Sequence, residues 1–208
     1  MARPGLTKRR LLGLDRSGPP PEPTLRGQPL NPWTLPNLIG FSRVALVPVF
    51  LVLALGSGDG RVASASILYA VIGGSDYLDG IAARLTGQYS RLGALIDPLT
   101  DRLLVVSGVV VAYHFELLPR WALLVLAARE LLVLVLSQLV LRRGVELEIN
   151  MLGRWAVWPT MFSLFLAMVS VTWVADALLL LGLAMTLLAT TIYLRDGLRA
   201  IARPSTSA

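Results

Sequence analysis

Six apolar runs, at about 36–57, 62–85, 92–114, 121–141, 152–174 and 177–198, fill nearly all of the chain after residue 35. Each is close to the ~20 residues that a helix needs to cross a hydrocarbon core. Backbone groups inside hydrocarbon must be bonded within the segment, so such runs predict helices rather than open strands. The expected fold is all-α, an integral membrane bundle of six transmembrane helices. It occupies one domain, residues 32–200, between a basic Pro-rich tail at 1–31 and a short tail at 201–208. A hydrophobic content of 55% and a mean hydropathy of +0.67 are too high for an ordinary water-facing surface. With no cysteine, disulfides and thiolate metal sites are excluded.

The net charge of +6 comes almost wholly from arginine, Lys8 being the only lysine. The connections at 56–61, 116–120 and 173–176 hold only Arg61 and Arg120 as cations. The other side collects the tail (Lys8, Arg9, Arg10, Arg16, Arg26), then Arg84, Arg91, Arg142, Arg143, Arg154, Arg195, Arg199 and Arg203. By the positive-inside rule both termini are cytoplasmic. The arginine bias suits a GC-rich bacterial genome, which makes the cytoplasmic membrane the expected location. Basic residues at the ends of apolar runs point to anionic lipid headgroups and phosphate substrates, and not to nucleic acid, for which no motif or stripe is present. The tail has no short apolar core followed by a cleavage site, so it does not read as a cleaved signal peptide. Trp33, Trp121, Trp155, Trp158 and Trp173 lie near run ends and read as interfacial anchors. His114, the one histidine, falls at the non-cytoplasmic end of the third run and reads the same way.

Against this apolar background stands Ser75-Asp76-Tyr77-Leu78-Asp79-Gly80-Ile81-Ala82-Ala83-Arg84, followed after eight residues by Gly93-Ala94-Leu95-Ile96-Asp97-Pro98-Leu99-Thr100-Asp101-Arg102. A carboxylate inside a membrane costs about 2.5 kcal/mol or more, so four of them require compensating positive charge. Asp76 and Asp79 are spaced i, i+3 and Asp97 and Asp101 i, i+4, so each pair shares one helix face. The short link around residues 87–90 makes the two helices antiparallel neighbours, and the acidic faces can meet. Hard oxygen ligands of this kind suit two Mg2+ or Mn2+ ions and phosphoryl-transfer chemistry. Gly80 and Gly93 read either as room for a nucleotide or as ordinary small residues of helix packing. Arg84 reads either as a diphosphate contact or as a membrane-end anchor.

Written as D-x2-D-G-x2-A-R-x8-G-x3-D-x3-D, the stretch from Asp76 to Asp101 resembles the signature of the CDP-alcohol phosphotransferases at all eight fixed positions. The resemblance implies a six-helix membrane enzyme, commonly a homodimer, with a polar cavity open to the cytoplasm. It implies transfer of a phosphatidyl group from CDP-diacylglycerol to an alcohol, with release of CMP. It makes Asp76, Asp79 and Asp97 metal ligands, and Asp101 both metal-proximal and the base that takes the acceptor hydroxyl's proton. Gly80, Ala83 and Arg84 would face the CDP moiety, and Gly93 would give it room.

The signature does not name the acceptor. Leu35-Pro36-Asn37-Leu38-Ile39 with Arg43, the Asp97-Pro98 pair and Ala128-Arg129-Glu130 resemble the phosphatidylglycerophosphate synthase branch, whose acceptor is glycerol 3-phosphate. That is the leading expectation. Arg129, Arg142 or Arg143, and Arg154 are candidates for holding a small phosphorylated alcohol, since arginine binds phosphate bidentately. Arg142, Arg143 and Arg154 are equally what the positive-inside rule places in a cytoplasmic loop. Arg129 interrupts an apolar run and needs a polar environment. That branch usually carries lysine where this chain has Arg102 and Arg154. Residues Tyr89 to Pro98 also resemble the CMP-forming cardiolipin synthases, whose acceptor is phosphatidylglycerol, and this is the second expectation. A transporter would also bury aspartates, but its two halves would repeat the pattern and this chain's do not.

Overall fold

The computed structural model describes residues 29–142 and 151–202. Six helices follow one another: α1 Leu35–Leu55, α2 Ala63–Thr86, α3 Arg91–His114, α4 Arg120–Arg142, α5 Met151–Val169 and α6 Trp173–Ala202. There is no strand among the described residues. Among the described residues the fold is all-helical, with the six helices expected. Leu35–Leu55 and Trp173–Ile192 are long and apolar enough to cross a membrane. The apolar windows of α2, α3 and α4 are broken by Asp76 and Asp79, by Asp97 and Asp101, and by Arg129 and Glu130. Large apolar side chains are exposed along the helices, among them Val52, Val71, Leu78, Leu95, Leu131 and Leu188. The five tryptophans are exposed as well.

Two compact units divide the chain. The first runs to Leu53 and resumes at Ile67–Leu104; the second comprises Ala54–Ser66 and the chain from Val105 onward.

In the first unit, local signals fix the helix ends. Thr34 caps α1, its hydroxyl accepting the Asn37 N–H at 3.3 Å. Gly87 closes α2 at a φ of 68°, a left-handed cap open to glycine at little cost, and its N–H reaches Ala83 O at 2.9 Å. Ser90 caps α3 through the Gly93 N–H at 2.9 Å. A four-residue link therefore reverses the chain between α2 and α3. Helix α1 runs antiparallel to α2, since Arg43 meets Ile72 and Phe50 meets Tyr69. It runs parallel to α3, with Asn37 against Ser90 and Gly40 against Ile96.

In the second unit, α5 packs along α6, and α4 also touches α6. Ser163 Oγ donates to Ala175 O at 2.6 Å, and Gly182 lies so close to Thr160 that an added Cβ would stand 2.9 Å from its backbone nitrogen. Small residues at such contacts let helix backbones approach, as in membrane bundles.

Candidate active site

The aspartate cluster belongs to the first unit. Asp79 is buried, and Asp76, Asp97 and Asp101 are partly so. Helix α2 supplies Asp76 and Asp79 from one face, and α3 supplies Asp97 and Asp101 one turn apart, as their spacing predicts. The positive charge that this grouping demands is Arg43 of α1. Its Nη1 donates to Asp76 Oδ1 and to Asp79 Oδ2, each at 3.2 Å, and its Nη2 donates to Asp101 Oδ1 at 2.9 Å. Its Nε donates to Ile72 O at 3.1 Å. The Arg43 side chain is 1% exposed. Three carboxylates from two helices thus converge on one cation. Asp97 is near enough for its charge to act on Asp79, and that of Asp76 to act on it. As placed, no three carboxylates among the described residues close on one metal position.

The neighbouring glycines differ in what covers them. At Gly80 an added Cβ would lie 3.4 Å from both terminal nitrogens of Arg84, so the Arg84 guanidinium folds back across the glycine beside Asp79. At Gly93 the open face is taken from within the protein: a Cβ would meet Asn37 Oδ1 at 2.7 Å and Ser90 Oγ at 3.2 Å. Asn37 is buried. Its amide donates to Asn31 O and Pro32 O, and its oxygen accepts from Ser90 at 2.8 Å. Ala83 is half-buried one turn after Gly80. At this same end of the three helices lies a cleft of about 370 Å³ lined by residues 31–34 and 87–89.

Arg129 is in the second unit, where its Nη1 pairs with Glu130 and its Nε donates to Thr190 Oγ1 at 3.0 Å. The polar environment it requires is therefore supplied by protein. The side chains of Arg142 and Arg154, and all of Arg143, lie outside the described residues. His114 is exposed at the end of α3 against Phe115. Sequence reasoning missed the place of Arg43, which it had noted only as part of a branch resemblance. The available signal was a cation in the middle of α1, whose run holds no other charge.

Four carboxylates and a buried guanidinium are thus grouped beside a second arginine folded over a glycine. The sequence matches the CDP-alcohol phosphatidyltransferase family over residues 33–191, which includes every aspartate of the cluster. The chain belongs to this family. It is similar to a CMP-forming cardiolipin synthase of Streptomyces coelicolor, 39% identical over 166 residues, which cover 77% of each protein. It is also similar to the CDP-diacylglycerol–glycerol-3-phosphate 3-phosphatidyltransferase of Bacillus subtilis, 30% identical over 63% of this chain and 74% of that protein. A probable phosphatidylglycerophosphate synthase of Mycobacterium tuberculosis is 36% identical over 53% of this chain and 54% of its own length. As a member of this family the chain is a phosphatidyltransferase of phospholipid biosynthesis.

Proposed function

We propose that this phosphatidyltransferase uses CDP-diacylglycerol as donor and phosphatidylglycerol as acceptor, forming cardiolipin and CMP at the aspartate cluster of α2 and α3. The observation that carries the acceptor is the relation to the Streptomyces coelicolor cardiolipin synthase, which has both more identity and more coverage than the relation to the glycerol-3-phosphate enzyme of Bacillus subtilis. The commitment of Arg129 to Glu130 and Thr190 points the same way, since it lessens the supply of free guanidinium for a small phosphate. Glycerol 3-phosphate is the second reading, favoured by the Bacillus subtilis relative and by the flanking Leu35-Pro36-Asn37 stretch.

Asp76, Asp79, Asp97 and Asp101 would hold two Mg2+ or Mn2+ ions. The fit rests on their convergence on a cation and on their hard oxygen donors. When bound, such ions neutralise phosphate charge and favour the alkoxide-like form of the acceptor oxygen. Asp101 is the base. One of its oxygens accepts from Arg43, and the other is left to take the proton of the acceptor hydroxyl. The acceptor oxygen forms its bond to the β-phosphorus, the bond from that phosphorus to the CMP oxygen breaks, and CMP departs with the electron pair. Gly80, Ala83 and Arg84 border the CDP diphosphate, with Arg84 as the bidentate donor. Gly93 serves the site from behind, by admitting Asn37.

The helices are read as six membrane spans, with both termini and the polar end of the site at the cytoplasmic side, in a homodimer. The exposed apolar faces and tryptophans support the membrane setting.

Purified protein in detergent is to be given CDP-diacylglycerol with Mn2+ or Mg2+ and either phosphatidylglycerol or glycerol 3-phosphate, with the lipid product identified by mass spectrometry. Cardiolipin is the expected product. Phosphatidylglycerophosphate alone would move the enzyme to the second reading.

A further inference from the structure

Arg43 meets the aspartates in a manner that distinguishes a fixed support from a temporary plug. Its neck is tied by Nε to Ile72 O, and the group is almost wholly inaccessible. From each of Asp76, Asp79 and Asp101 it takes one oxygen only, namely Oδ1, Oδ2 and Oδ1. Exposure rises from 7% at Asp79 to 34% at Asp101 and 45% at Asp76, so the carboxylates stand between a buried guanidinium and the accessible side. Their second oxygens carry no bond from Arg43.

We propose that Arg43 is a positioning residue for the metal site: it stands behind Asp76, Asp79 and Asp101 as a permanent counter-ion and sets the direction in which their remaining oxygens face a divalent cation. The inference rests on the reading that these aspartates hold the metal ions. Its physical basis is twofold. Carboxylates this close repel one another, and a buried guanidinium bonded to three of them offsets that repulsion. A guanidinium also presents its N–H groups in one rigid plane, so three carboxylates bonded to it have fixed relative directions; an ammonium imposes no such plane. Hydrogen-bonded partners behind metal ligands commonly control metal affinity by about 10–100-fold. A plug would have the opposite sign, because removing a competing cation tightens metal binding.

The test needs neither substrate nor turnover. The full chain in detergent is titrated with Mn2+, and binding is followed by loss of the electron paramagnetic resonance signal of free Mn2+. Arg43→Gln and Arg43→Lys are each expected to bind Mn2+ about 10–100-fold more weakly than the unmodified chain. The lysine variant keeps the charge and loses the fork, so it decides the matter if the glutamine variant does not fold. Binding by Arg43→Lys as tight as that of the unmodified chain, or tighter, overturns the proposal while leaving the metal site standing. An unmodified chain that binds no Mn2+ overturns the metal reading and this inference with it.

Discussion

The unit formed by the chain up to Leu53 with Ile67–Leu104 is joined by long polar side chains, whereas the unit from Val105 onward, with Ala54–Ser66, is joined mainly by small ones. In the first, Arg43 and Asn37 of α1 reach α2, α3 and the link before α3, and the bonds are ionic or amide. In the second, α5 and α6 meet through Ser163, Thr160, Ala175 and Gly182, and the buried Thr160, Thr186 and Thr190 return their hydroxyls to carbonyls of their own helix. Even its buried ion pair joins sequence neighbours, Arg129 and Glu130. The ion pairs that cross between helices in the first unit are therefore those of the proposed site. The Arg129–Glu130 pair stays on α4, and the further bond of Arg129 to α6 goes to the neutral hydroxyl of Thr190, so this pair compensates for its own burial.

Asp79→Asn should break this contrast most forcefully if it is wrong. The amide oxygen still accepts from Arg43, and Asp76 and Asp101 keep their bonds, so thermal unfolding in detergent should change by about 1 kcal/mol or less. CMP release from CDP-diacylglycerol should fall by more than about 100-fold, the upper end for losing a mere outer partner of a metal. A variant that unfolds far more easily yet turns over normally per folded molecule would make the cluster a structural device.

Two glycines sharpen the comparison at lower cost. Gly182→Ala brings a Cβ to 2.9 Å from Thr160 N and 3.2 Å from its Cα, and backbone cannot yield without separating α5 from α6. Overpacking of that kind costs about 1–3 kcal/mol. Gly93→Ala meets side chains instead, Asn37 Oδ1 and Ser90 Oγ, which can turn aside. It should destabilise less, and slow CMP release more, because Asn37 holds the start of α1 beside α3. Melting curves and initial rates on both variants read the two effects separately. Equal rates in the two would deny Gly93 its link to the site.

How much of this was legible depends on sequence distance. Apolar run length located α2, α3 and α4 to within a residue at each end, because polar or turn residues such as Gly87, Ser90 and Pro119 bound them. The boundary between α5 and α6 was expected at 173–176 and lies at 170–172. Val169 to Val174 offer hydropathy little contrast, and Asp176 belongs to the first turn of α6, where a carboxylate complements the helix dipole. The aspartates were legible because i, i+3 and i, i+4 spacing is local. Their counter-ion was demanded by electrostatics but not identified, since Arg43 lies 33 to 58 residues from its partners and only the packing of α1 unites them. Gly93 was expected either to make room for nucleotide or to serve helix packing, and Asn37 and Ser90 lie against it.

The smallest effect is expected where the first unit is least like itself. Tyr69 packs its ring 5.2 Å from that of Phe50, and its buried hydroxyl has no hydrogen-bond partner among the described residues. The charge of Asp101 acts on it. An unpaired buried hydroxyl costs about 1–3 kcal/mol, so Tyr69→Phe, which keeps the ring, should stabilise the chain by up to about 1 kcal/mol. Turnover should remain within about twofold if polar groups of this unit matter only through the contacts they make. A rate loss beyond about tenfold would instead bring the hydroxyl into the machinery around Asp101. The polar part of the site would then extend along α2 to Tyr69, nearly two turns beyond Asp76.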